Sequence, residues 1–265
     1  MTPVLELRGA ALGYRDRELW HGLDLDVAAG EFLAVLGANG SGKTSLLRAV
    51  LGLQPLSAGQ VLVDGHPARR GSTLIGYVPQ QRALDPLTPL RARDLVGLGI
   101  DGHRWGIGRG GSRRRDVVEA ALASVGAAGY ADAPIGLLSG GEQQRVRIAQ
   151  ALASDPKLLL CDEPLLSLDL NHQVAITELI DQRRRQHGTA VVFVTHEINP
   201  VLPYVDRVLY LADNQFRVGT VDEVMTSQTL TGLYGRQVDV IRTGGRIIVA
   251  GVPDEHAHHD EAVVT

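Results

Sequence analysis

The stretch "GANGSGKT", Gly37 to Thr44, constrains this chain more than any other. It follows an apolar run, "EFLAVLG", and opens a run of helix formers, "GKTSLLRAVLGL". In that strand-to-helix setting the pattern G-x-x-x-x-G-K-[ST] predicts a loop whose backbone N–H groups wrap the phosphates of a nucleotide. Gly37, Gly40 and Gly42 permit the tight bend, with Ala38, Asn39 and Ser41 between them. Lys43 is expected beside the β and γ oxygens, Thr44 on Mg²⁺, and Ser45 in the first helical turn against the phosphates.

Three further apolar runs, "LLLCDE" (158 to 163), "AVVFVTH" (190 to 196) and "DRVLYLA" (206 to 212), lack polar alternation, as strands covered on both faces should. Helical patterns lie between them, notably "GEQQRVRIAQALA" and "NHQVAITELIDQRRRQHG", so the fold class expected is α/β with a mostly parallel sheet. A segment of about residues 84 to 144, rich in Ala, Gly and Arg, reads as a small helical insert around the glycine-rich loop "GHRWGIGRGGS". That loop, Arg109 included, is either a solvated connection or a contact for a partner. The arginine triplets at 113 to 115 and 183 to 185 read as solvated helix faces. Cys161, the only cysteine, excludes an intramolecular disulfide and reads as a core residue.

Charge and hydropathy narrow the partners. A formal charge of -4, from 26 basic and 30 acidic residues, gives no overall attraction to nucleic acid. Glu6 and Arg8 interrupt the N-terminus before an apolar run develops, so no signal peptide is expected. With no apolar stretch of membrane-spanning length, the expectation is a soluble, cytoplasmic chain.

The chemistry gathers where the strands end. Asp162 is expected to hold the magnesium shell and Glu163 to act as general base on the attacking water, provided the strand stops between them. His196 is delivered to the same carboxyl edge of the sheet. A second anion-binding helix start occurs at "LLSGGEQQR", where Ser139, Gly140 and Gly141 offer a hydroxyl, close approach and N–H donors, with Gln143 beyond them. It has neither a lysine nor a magnesium carboxylate of its own, so it reads as half a site, completed by a second copy in a head-to-tail homodimer.

Taken together, these residues resemble the nucleotide-binding subunit of ATP-binding cassette (ABC) transporters, over roughly Val4 to Gly235. The motifs follow the family's order: "GANGSGKT", the glutamine of "IGYVPQ", "LSGGEQQR", "LLLCDE", "SLD" ending at Asp169, and His196. The resemblance implies a P-loop NTPase core with an N-terminal antiparallel β portion and a helical subdomain that rotates as the dimer closes. It implies that Tyr14 stacks on adenine, that Gln80, in preference to Gln81, reaches the magnesium and attacking water, and that Asp169 couples the two sites. It also implies membrane permease subunits docked beside Gln80, an extracytoplasmic solute-binding protein, and a place at the cytoplasmic face of the membrane. An ATPase domain of residues 1 to 240 is then followed by an extension of 241 to 265.

Two features bear on cargo. "IGYVPQQRALDPLTPLRARDLVGLG" and "THEINPVLPYVDRVLYLADNQFRVGT" resemble the zinc and manganese importers, whereas "DEPLLSLD" departs from most of that branch and leaves siderophore or haem iron open. The tail "EHAHHDE" carries His256, His258 and His259 among acidic residues, and reads either as a disordered acidic tail or as ligands for a divalent metal. A soluble cassette ATPase would need coiled-coil insertions or a second cassette, and neither is present.

Overall fold

The computed structural model describes residues 2–14, 17–80, 85, 88–102, 111–212 and 214–251. The chain begins with β1 (Leu5–Tyr14), β2 (Arg17–Val27) and β3 (Phe32–Gly37), then α1 (Lys43–Val50) and β4 (Ala58–Val63), β5 (His66–Pro67) and β6 (Ile75–Val78). Two helices, α2 (Ala92–Asp101) and α3 (Ser112–Ser124), precede α4 (Gly140–Leu152), β7 (Leu158–Asp162), α5 (Leu170–His187), β8 (Ala190–Val194), β9 (Arg207–Ala212) and β10 (Gln215–Gly219). Short helices α6 (Val221–Val224) and α7 (Ser227–Tyr234) lead into a hairpin of β11 (Asp239–Thr243) and β12 (Arg246–Ala250).

The central sheet has six strands in the order β10-β9-β3-β8-β7-β6. Its pairs are parallel except β10 on β9. The continuous apolar runs follow from burial on both faces. Along β3, Phe32, Ala34 and Leu36 enter one core with α2 to α5, while Leu33 and Val35 enter a second with α1 and the N-terminal strands. On β7, Leu159 and Cys161 take the first side and Leu158 and Leu160 the other. Cys161 is fully buried as expected, and burial pushes its thiol pKa up. The second sheet is antiparallel, in the order β2-β1-β4-β5, with register shifts along β1 that bend it over the core.

Register aligns the chemistry. Val194 pairs with both Val35 of β3 and Asp162 of β7, so Gly37, Asp162 and Thr195 all lie at one carboxyl edge. The segment expected to be a helical insert carries α2, α3 and the start of α4, and α4 runs unbroken from Gly140 to Leu152, past residue 144. The boundary at 240 likewise falls inside β11. That hairpin is joined to the body of the protein: Ile247 is 4% exposed, and the Asn199 amide bonds both its N–H, at 2.8 Å, and its carbonyl, at 2.9 Å. The tail beyond Gly251 lies outside the described residues, as do Arg109 and Gln81.

The arginine triplet of α5 is a correction. Arg184 is 9% exposed and its guanidinium bonds Asp181 (2.9 Å), Asp206 (2.6 Å) and the Gly30 carbonyl (3.1 Å). Asp206 also accepts the Phe32 N–H, so this network fixes the end of α5 against the start of β3. Helical position alone hides such a tether, because Asp206 and Gly30 lie more than twenty residues away in sequence. Arg183 pairs with an Asp155 side chain that is 80% exposed. Arg185 alone matches the expectation, with a side chain 66% exposed. In the other triplet, Arg114 reaches Asp101 of α2. Arg184→Ala, which takes a nearly buried guanidinium away from Asp181, Asp206 and the Gly30 carbonyl, is expected to cost about 3 kcal/mol in urea unfolding. Arg183→Ala should cost under about 1 kcal/mol.

Candidate functional site: a phosphate cradle with two carboxylates

The cradle forms because its glycines occupy space no side chain could. Gly37 has φ 141°, and a Cβ there would lie 2.8 Å from Ser41 Oγ and closer still to the Leu211 carbonyl. At Gly42, φ 99°, a Cβ would lie 2.8 Å from Trp20 Nε1. These two positions let the backbone turn from β3 into α1, whose N-terminus is the kind of helix end that favours an anion. The Lys43 ammonium folds over the loop, donating to the carbonyls of Gly37 (2.8 Å) and Ala38 (2.9 Å). Its burial lowers the lysine pKa, and the nearby Glu163 and Asp162 charges oppose that shift.

A cleft of about 510 Å³ opens over the loop, lined by Leu19, Asn39, Gly40, Gly42, Lys43, Thr44, Ser45, Gln80, Glu163 and His196. Asp162, 3% exposed, sits at its floor. It accepts from Thr44 Oγ1 at 3.2 Å and from the Tyr77 hydroxyl at 3.3 Å. Burial raises its pKa, against the pull of those two hydrogen bonds. The same burial and the adjacent carboxylate push Tyr77 to about 12, so it remains a donor.

Glu163 reaches the cleft because the chain leaves strand geometry at once. Its φ is 49°, a left-handed conformation that costs a non-glycine residue about 1–2 kcal/mol. Its N–H still bonds the Val194 carbonyl at 3.0 Å. The turn brings its carboxylate between Gln80, whose Nε2 donates at 2.9 Å, and His196, whose Nε2 donates to the other oxygen. The hydrogen bond from His196 is the main reason its pKa is lowered, with burial opposing. Adjacent carboxyl groups are thus pushed in opposite directions by different surroundings.

The serine-diglycine turn lies elsewhere. Ser139 caps α4, and with Glu142 it forms a reciprocal box: the Ser139 N–H and hydroxyl both donate to Glu142 Oε2 at 2.8 Å, and the Glu142 N–H returns to Ser139 Oγ at 3.3 Å. None of Ser139, Gly140, Gly141 or Gln143 lines the cleft. Gln143, expected among the nucleotide contacts, is 7% exposed and turned inward, donating to the Leu138 carbonyl at 3.0 Å. It therefore braces the turn. Asp169 caps α5 by accepting the His172 N–H at 2.9 Å. Tyr14 ends β1 opposite Arg17, and its side chain lies outside the described residues.

Tyr77, Leu19 and Trp20 join the site without having been read from the sequence. Tyr77 carried a faint signal, three residues before Gln80 on an apolar strand; Leu19 and Trp20 carried none, because only the folding of β2 across the cradle brings them there. Among the described residues no group of three or more His, Cys, Asp or Glu is gathered to hold a metal, and no helix is long and apolar enough to cross a membrane. His256, His258 and His259 lie outside the described residues.

Comparison with known proteins agrees with this geometry. A family model described as ABC transporter matches residues 20–166. The zinc import ATP-binding protein ZnuC of Magnetococcus marinus is 34% identical over 238 residues, covering 88% of this chain and 84% of ZnuC. The manganese transport system ATP-binding protein MntB of Halalkalibacterium halodurans is 31% identical over 252 residues, covering 95% and 100%. Among solved structures, an inward-facing ABC transporter of metal-chelate type superposes with a TM-score of 0.79 at 29% identity, over 94% of this chain and 96% of that one. The ATP-binding cassette MJ0796, a dimer in a post-hydrolysis state with ADP and Pi, gives 0.69 at 29% identity, over 82% and 98%. With the loop, carboxylates and histidine meeting in one cleft and relatives matching along most of its length, the chain belongs to the ABC transporter family as an ATP-binding, ATP-hydrolysing subunit.

Proposed function

We propose that two copies of this chain close on ATP, each copy's Gly37–Thr44 cradle facing the other's Ser139–Gly141 helix start, and that hydrolysis drives membrane permease subunits importing zinc or manganese. One observation carries the two-copy reading: a single chain gathers the cradle, Gln80, Glu163 and His196 around one cleft, and leaves its second anion-binding turn outside it. ATP then favours the closed pair, because its γ-phosphate can satisfy the partner's helix start and ADP has no such group.

In this reading Glu163 takes a proton from the attacking water as the oxygen adds to the γ-phosphorus and the bond to the bridging oxygen of ADP breaks. General-base help of this kind is worth about 10²- to 10⁴-fold. Gln80 and His196 hold the carboxylate in place and ionised, and Lys43 offsets charge on the phosphates. The Thr44 hydroxyl and the Asp162 carboxylate, 3.2 Å apart, are hard oxygen donors that suit Mg²⁺. Bound there, the ion would neutralise charge on the β and γ oxygens.

The printed names of ZnuC and MntB support a divalent-metal cargo. The permeases are proposed to dock beside Gln80 at the cytoplasmic face, with a solute-binding protein across the membrane. Vesicles carrying the subunit with its permease should accumulate labelled zinc or manganese on ATP; uptake of ferric siderophore or haem instead would reassign the cargo. Glu163→Gln should bind ATP, hydrolyse it at least about 10²-fold more slowly, and run as a dimer on a sizing column in saturating ATP. A monomer there would overturn the shared site. His196→Ala removes what chiefly keeps the Glu163 pKa low, so that pKa rises and the base is lost at a higher pH than before. The acid limb of kcat against pH should move upward, and an unmoved limb would contradict the pairing.

A further inference from the structure

His172 belongs to none of the six motifs, yet it touches two of them. Its backbone N–H donates to Asp169 Oδ1 at 2.9 Å and its ring Nδ1 to Asp169 Oδ2 at 2.7 Å, so one residue holds both oxygens of that carboxylate. The ring then lies against Gly141 at the start of α4. A Cβ built on Gly141 would be 2.7 Å from His172 Nε2, 3.0 Å from Cγ and closer still to Cδ2. Gly141 has an ordinary φ, so what forbids a side chain there is the imidazole, tethered in place by Asp169. The next residue, Glu142, is held below the usual carboxylate range by its bonds from Ser139, with His172 adding a smaller pull of the same sign.

We propose that His172 is a positioning residue that locks the Asp169 turn to the Ser139–Gly141 helix start, so that both parts of the half-site presented to the second copy move as one body. It rests on the two-copy reading above. The γ-phosphate engages only the helix start, while Asp169 sits at the head of a different helix, α5. Without a rigid connection the two would approach the partner independently, and ordering both separately would weaken closure. The ring supplies that connection with one hydrogen bond and one packed edge.

Two substitutions divide these contacts. His172→Asn retains a donor near the Nδ1 position and removes the ring edge from Gly141, whereas His172→Phe retains a ring and removes the side-chain bond to Asp169, leaving the backbone one. Each is made in the Glu163→Gln background, and the ATP concentration at which the dimer forms is measured by sizing chromatography. Nucleotide affinity of the dilute, monomeric subunit is measured in parallel. The expected result is a rise of roughly 10- to 100-fold in the ATP needed for dimerisation, in the range that small displacements of positioned groups produce, with monomer affinity unchanged. In the Glu163-intact chain the KM for ATP should rise in step, with little change in kcat at saturating ATP. Dimerisation at the parent's ATP concentration in either variant overturns the two-contact link while leaving the shared site standing. An equal loss of monomer affinity overturns it too, by showing a general structural defect. If Glu163→Gln itself stays monomeric, the shared site fails and the link with it.

Discussion

Everything at this site depends on the chain leaving strand geometry between Asp162 and Glu163. A strand sends neighbouring side chains to opposite faces, so two adjacent carboxylates would ordinarily never serve one ligand. The left-handed backbone at Glu163 cancels that alternation at a modest conformational cost, which the Val194 carbonyl helps to offset by accepting the Glu163 N–H. Because β7 pairs with β8, the same bond ties the turn to the strand that delivers His196. The Glu163 carboxylate and its principal hydrogen-bonding partner, His196, are therefore fixed by one backbone junction.

That junction also explains why the two carboxyl groups behave differently. Asp162 is nearly enclosed, and burial dominates over the donors from Thr44 and Tyr77. Glu163 lies at the cleft wall, where direct bonds from His196 and Gln80 outweigh its desolvation. A cation held by Thr44 and Asp162 would add to the partial compensation that Thr44, Tyr77 and Arg48 already give Asp162. Glu163 has its compensation already, from His196 and Gln80, which favours the ionised form that the proposed base role requires.

The legible parts of this protein were those governed by local pattern. Double-sided burial wrote β3, β7, β8 and β9 as uninterrupted apolar runs, and the loop from Gly37 to Thr44 announced itself by glycines at positions that the structure holds at φ 141° and 99°. What escaped was set by distant contacts. Arg184 looks solvated in the run "QRRRQHG" until Asp206 and Gly30 come alongside. Gln143 looks available for a ligand until Leu138 claims it. The hairpin of β11 and β12 has alternation too weak to read, because only Ile247 on β12 is fully covered while Ile241 and Ile248 are about half exposed.

The same hairpin bears on His196. Asn199 follows His196 by three residues, and its amide imitates a strand partner for Ile247, donating to the carbonyl and accepting from the N–H. Around His196, Thr195 closes a small turn with Glu197, its hydroxyl donating to the Glu197 carbonyl at 2.9 Å and accepting the Glu197 N–H at 3.2 Å. His196 thus projects from a segment pinned at both ends, by the central sheet on one side and the C-terminal hairpin on the other. A histidine that must meet one oxygen of Glu163 cannot be carried on a loose loop, since the hydrogen bond weakens steeply with misalignment. The last two strands are therefore part of what aims His196 at Glu163.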